Sequence, residues 1–250
     1  MSTTAEAILE TLRVVEGERH RRAGDAGLAR RVVAIKAFQQ RRFAHTYADL
    51  LNSTRYGPAA SFFLEELYGP NDFSRRDAQF ARVVPSMIRL FPREIVETVA
   101  ILADLHALSE TLDTAMGSHL HDPLVTPLAY VRAWQATGHS ADRQTQIRLT
   151  LNVATRLDQL TRQPLLRNTL RLMRGPARAA GLAELQQFLE AGFDTFRAMK
   201  GAQEFTDIVQ AREQSLASSL FDSSLVEPMA GAMIEGSIAM LPSSVDGALR

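Results

Sequence analysis

Across residues 25–52 the apolar side chains Leu28, Val32, Ile35, Phe43, Tyr47 and Leu50 follow one another in helical steps, with a single lapse at Gln39. Steps of three and four keep such residues on one stripe of a helix but scatter them over both faces of a strand. The same rhythm runs along most of the 250 residues, and no stretch sustains the alternation of a half-buried strand. The chain is therefore predicted to be all-α.

Proline and glycine cut this pattern into pieces. A first helix is expected over residues 4–22, ending near Gly24. Pro58 opens a short helix, because a first-turn proline loses no hydrogen bond the helix needs, and Gly69-Pro70 closes it. Asn71-Asp72 supplies a turn, after which Ser74 reads as an N-cap with Asp77 at the third helical position. The run FFLEELYGPNDFSRRDAQF, residues 62–80, is thus explained mainly as a helix-turn-helix corner, with Phe80, Val83, Val84, Met87 and Ile88 on the buried face that follows. Pro92 precedes a helix over 94–116, closed by Gly117, and a loop with Pro123 and Pro127 leads to a helix around Trp134. Gly138 precedes a helix over 142–161, Pro164 restarts the chain, Gly175-Pro176 breaks it, and helices over 182–199 and 204–220 follow. The expectation is a compact multi-helix bundle of about eight to ten helices with proline-gated corners, forming a single domain over residues 1–221. Residues 222–250 are too apolar for a typical disordered tail and are expected to be a partly ordered extension that docks on this chain or a partner.

Composition then narrows function. Lys plus Arg and Asp plus Glu number 28 each, so no overall field draws the protein to nucleic acid or membranes. There is no cysteine, which excludes disulfides, thiolate catalysis and Cys-containing metal sites. The N-terminal residues form no basic-then-apolar leader, and no run of 18 apolar residues occurs. A cytoplasmic protein without membrane contact is expected. The cations comprise 26 Arg and only Lys36 and Lys200; this fits either anion recognition or the Arg-rich codon use of a bacterial genome.

Two constellations stand out. In LLRNTLRLMRGPARAAGL, Arg167, Arg171 and Arg174 form one stripe opposite Leu166, Leu170 and Met173, and Arg178 continues it past Pro176. Guanidinium groups beside a helix start suit a phosphate or carboxylate, so these four residues are the candidate anion site, for a small anionic ligand or a protein partner. The ordinary alternative is a solvated face that complements the protein's own acids. Residues 13–42 hold a second local excess, nine cations against three acids. Further along, Ile95, Val99 and Leu102 form an apolar column that continues into His106, Glu110 and Asp113. Imidazole and carboxylates on one face can hold a metal, and His106 alone can ligate haem, so a metal or haem protein is the alternative reading; no cofactor is predicted otherwise. Glu65 and Glu66, as sequence neighbours, cannot face each other as a catalytic pair. Dinucleotide and P-loop glycine motifs, the Gly-x-Ser-x-Gly elbow and His-Glu-x-x-His are absent from the sequence. The aromatic-interleaved basic footprint of nucleic-acid binders is absent too.

The segments RYGPAASFFLEELYGPNDFSRRDAQFARVVPSMIRLFP (55–92), LRLMRGPARAAGL (170–182) and GFDTFRAMKGAQEF (192–205) resemble a family of all-helical proteobacterial proteins of unassigned activity, over roughly residues 30–221. The resemblance implies a bacterial, cytosolic setting and transfers no catalytic residue. A non-enzymatic binding or regulatory protein is the expectation. A subunit of a helical assembly, or a homo-oligomer joined through the apolar tail, is the further alternative.

Overall fold

The computed structural model describes residues 4–67 and 70–222. In chain order it contains α1 (Thr4–Ala23), α2 (Ala26–Thr46), α3 (Ala48–Leu51), α4 (Gly57–Phe62), a π-helical turn π1 (Phe63–Leu67), α5 (Ser74–Leu90), α6 (Arg93–His119), α7 (Pro127–Thr137), α8 (Ser140–Thr161), α9 (Pro164–Leu172), α10 (Arg174–Ala179), α11 (Ala183–Met199) and α12 (Gln203–Leu220). No strand occurs among the described residues, so the fold is all-α. α3 and α10 are only four and six residues long; without them, the helices fall within the expected number, and α4 is the short helix expected at Pro58. The expected extension after residue 221 lies almost wholly outside the described residues. Among the described residues no helix is long and apolar enough to cross a membrane.

α6, at 27 residues, is the axis of the bundle. It packs against α1, α2, α7 and α8, which is why its buried residues are not confined to one stripe. Small side chains allow this close approach. Gly117 was expected to end the helix, but it lies inside α6, where a Cβ would sit 2.5 Å from Val32 Cγ2. Its missing side chain is where α2 crosses. The stripe expected over 25–52 is buried throughout, at Leu28, Val32, Ile35, Phe43, Tyr47 and Leu50, but the helix breaks at Tyr47, so Leu50 belongs to α3; Asp25 caps α2 by accepting from the Leu28 amide at 2.9 Å.

α5 corrects another expectation. Ser74 is already helical, with Phe73 in the cap position and no side-chain cap bond. Asp72 does the local work, accepting from the Ser74 amide at 2.9 Å. Asp77 is thereby left for a long-range role. Likewise Gly175-Pro176 lies inside α10, and the chain turns one step earlier, at Met173.

Behind these elements the core is divided. Ile35, Phe38, Met116, Tyr130, Trp134, Leu216 and Leu220 form one cluster between α2, α6, α7 and α12. A second gathers Phe43, Tyr47, Phe62, Phe63, Phe196 and Phe205 around π1. A third joins Ile8 and Leu12 to Val84, Val96 and Ala103.

Candidate functional site

The α6 column foreseen from helical spacing lines two adjoining hollows. Its apolar part, Ile95, Val99 and Leu102, is one wall of a chamber of about 400 Å³. The other walls are Phe80, Val83 and Met87 of α5, Val153, Leu157 and Leu160 of α8, and Phe188 and Phe193 of α11. Leu166 and Leu170 of α9, with Met173 and Ala177, form the roof. The polar part of the column, His106, Glu110 and Asp113, lines a second pocket of about 120 Å³ with Lys36, Arg76, Asp77, Ser109 and Gln146. Phe80, Val99, Leu102, Leu185, Phe188 and Leu189 border both hollows. These side chains stand between the two hollows, whose linings change from greasy to polar along one helix.

The polar end is a set of matched charges drawn from four helices. Asp77 of α5 accepts from His106 Nε2 at 2.8 Å and pairs with Arg19 of α1. Glu110 accepts from Arg22 Nη2 at 2.6 Å and also from Lys36 of α2. Arg76 donates to Glu66 Oε2 at 3.2 Å, and its guanidinium stands 4.1 Å and 4.3 Å from the ring centres of Phe73 and Phe188. Gln39, the lapse in the α2 stripe, donates to Asp113 Oδ1 at 3.0 Å. The lapse is thus a polar contact with α6 and not a defect in the helix pattern.

These partners set the acid strengths. Burial alone would raise the Asp77 carboxyl, but the hydrogen bond and charge of His106, followed by Arg19, outweigh it and the pKa is lowered. Glu110 behaves the same way: burial raises it, and Lys36 and then Arg22 bring it below the ordinary value. Asp113 is the exception. Burial pushes its carboxyl up, with the neighbouring Glu110 adding to the shift, and Lys36 at 3.9 Å does not compensate. Burial lowers Arg76, against the opposing charges of Asp77 and Glu66.

The three residues of the metal reading share a wall but not a focus. His106 turns to Asp77, Glu110 to Lys36 and Arg22, and Asp113 to Gln39. Among the described residues no group of three or more His, Cys, Asp or Glu side chains is arranged to hold a metal ion. Ligation through His106 Nε2 would first have to break the bond to Asp77.

The arginine stripe lies on the roof. Arg174 makes a two-pronged contact with Glu190 of α11, its Nε 2.7 Å from Oε1 and 2.8 Å from Oε2. Arg167 Nε donates to Asp194 at 3.0 Å. The bond from Arg174 lowers the Glu190 carboxyl, and Glu190 raises Arg174 in turn. Arg171 and Arg178 are exposed. An anion entering the hollow between Arg174 and Arg178 meets the carboxylates of Glu190 and Asp194 on its other side. In this geometry two of the four guanidinium groups hold the roof to α11.

Sequence reasoning missed Asp77 and Arg76, which had been absorbed into a corner, and Lys36, Arg22, Ser109 and Gln146. The one available signal was the pair of lapses, at Gln39 in α2 and at His106 in the α6 column, which are polar positions on otherwise apolar stripes. The run 62–80 is accordingly both a corner and a wall. Phe62, Phe63, Phe73, Arg76, Asp77 and Phe80 all face one hollow or the other, beside a π-helical turn of a kind often found at functional sites.

Fold and cavity define a class: an all-helical protein with an apolar hollow beside a pocket of paired charges. The model of the family described as Domain of unknown function (DUF8198) matches residues 18–226, and the chain belongs to that family. No curated protein and no solved structure matches it.

Proposed function

We propose that this is a non-enzymatic binding protein of a bacterial cytoplasm that holds a small, largely apolar molecule in the chamber beneath α9. The observation that carries the reading is the chamber itself. The chamber is partly open to solvent and offers about 400 Å³ walled by Leu, Val, Phe and Met side chains. It falls within the range of roughly 300–1,000 Å³ typical of small-molecule sites. Outside the chamber, Leu165 and Leu172 of α9 are 78% and 79% exposed, and Met173 and Leu189, which line it, are partly exposed. On this reading the arginine stripe closes the roof and does not contact the ligand.

Titration with the neutral fluorophore N-phenyl-1-naphthylamine tests the proposal. Saturable binding with a blue-shifted, enhanced emission is expected, and Leu170→Trp, which narrows the chamber, should weaken it while leaving the helical circular-dichroism signal in place. Unsaturable or absent binding to the wild type would remove the reading.

A further inference from the structure

Resting on the binding reading above, we infer that the occupant is an uncharged amphipath: an apolar chain or ring system with a hydroxyl, carbonyl or amide head that reaches the polar pocket and hydrogen-bonds to Ser109. Every charged side chain lining that pocket already has an opposite charge beside it. Lys36 has Glu110, Asp77 has Arg19 and His106, and Arg76 has Glu66. A carboxylate or ammonium head would have to break one of these pairs, or be withdrawn from water with no counter-charge of its own. The phenyl rings of Phe73 and Phe188 flank Arg76, so its faces are covered as well.

Neutral hydrogen-bonding capacity is left over at the same place. Arg143 Nη1 donates to Gln146 Oε1 at 3.0 Å, and Gln146 Nε2 donates to Ser109 Oγ at 2.9 Å. This chain of donors uses a lone pair of Ser109, and its hydroxyl hydrogen has no acceptor among the described residues. Ser109 is half-buried and lines the pocket three residues on from His106. An oxygen of a neutral head is the acceptor that completes the chain. Asp113, further in, supports the same polarity, since burial favours its uncharged form.

The test uses the full chain and three competitors of equal length, decanol, decanoate and decyltrimethylammonium, each displacing N-phenyl-1-naphthylamine at neutral pH. Decanol is expected to displace at a midpoint at least about ten-fold below the other two, the equivalent of one broken pairing. The alcohol partitions out of water more readily in any case, so the decisive reading is the decanol-to-decanoate ratio compared between variants. Ser109→Ala should shrink that ratio. Glu110→Gln, which leaves Lys36 and Arg22 short of a counter-charge, should shift it toward decanoate. A ratio unchanged by Ser109→Ala overturns the placement of the head, and decanoate or the ammonium compound binding as well as decanol in the wild type overturns the ligand class. If the fluorophore itself fails to bind, the chamber reading fails first and this inference with it.

Discussion

The two ends of α6 put the same helical spacing to opposite uses. Toward its C-terminus, Met116 meets Ile35, Phe38, Tyr130 and Trp134 in a buried cluster that borders a hollow of only about 50 Å³, with the Phe38 and Tyr130 rings stacked 4.5 Å apart. Toward its N-terminus, Ile95, Val99 and Leu102 look across a hollow at α9 and α11. Between them stand Glu110 and Asp113 with their cations. Periodicity decides which face of a helix turns inward; it does not decide whether the space it turns toward is filled. The contrast teaches that the closely packed core sits at one end of α6 and the larger hollow at the other.

Breaking the junction between the two ends should have the largest effect. Glu110 is 5% exposed and receives both Lys36 and Arg22. Glu110→Ala leaves two cations without their partner, and loss of one member of a buried pair costs about 3–5 kcal/mol. Urea unfolding should show the midpoint falling accordingly, with Glu110→Gln losing clearly less. A loss as small as that of an exposed pair would show that the cluster is solvated and the division of the core is unreal.

Comparing truncations sharpens the contrast directly. Ile35 is fully buried in the cluster at the C-terminal end, so Ile35→Ala should cost about 2–5 kcal/mol. Leu170→Ala, on the roof of the chamber, creates little new void because the void is already there, and should cost less than about 1 kcal/mol. Equal losses would mean that both ends are packed alike.

Acid titration separates the junction's carboxylates by sign. Asp77 and Glu110 are held below their ordinary values. Their contribution is therefore fully present above about pH 4–5 and is lost as pH falls through the lowered native values. Asp113 runs the other way: its native value is raised, so it weakens the fold as pH rises above the unfolded value. Asp113→Asn, which keeps an acceptor for Gln39, should raise the melting temperature at pH 7 and change it little at pH 3. Asp77→Asn should lower it at pH 7, with the difference fading in acid.

Much of this contrast was hidden in the sequence for a physical reason. The α2 stripe and the α6 column could be read because they are local: consecutive turns of one helix fix them. The junction could not, since it joins Arg19 and Arg22 of α1 to Asp77 and Glu110, 58 and 88 residues away. Asp77 looked like a cap because its position after Ser74 satisfied a local rule, and a local rule does not reveal that Asp72 already meets the need. Gly117 was misread for the same reason: a helix-ending glycine and a glycine at a helix crossing differ only in what lies opposite, here Val32. The chamber left no trace at all, because its leucines and phenylalanines are the residues a filled core also uses. The arginine stripe was visible, but its partners Glu190 and Asp194 lie on the next long helix, so its role as a roof clasp was not.

The smallest expected effect tests that clasp, and with it the hollow end of the comparison. Arg174 and Glu190 meet on the surface, with the Arg174 side chain 53% exposed, so the pair is screened and contributes little to global stability. Its leverage is local. α9 is further tied to α11 by the Gln186 amide, which donates to Leu170 O at 2.6 Å, and the segment after α10 is tied to α5 by Arg82, which donates to Ala180 O at 2.9 Å. Loosening the roof should let a bound fluorophore escape sooner without unfolding the protein. Arg174→Ala is expected to speed release of N-phenyl-1-naphthylamine in stopped-flow by no more than about five-fold, the range of an exposed pair, and added salt should speed the wild type toward the variant. Substituting Arg13, whose exposed pairing with Glu10 lies within α1, should leave release unchanged. If Arg174→Ala and Arg13→Ala release the probe at the same rate as the wild type, α9 is a fixed wall, and the hollow end of α6 opens to solvent by another route.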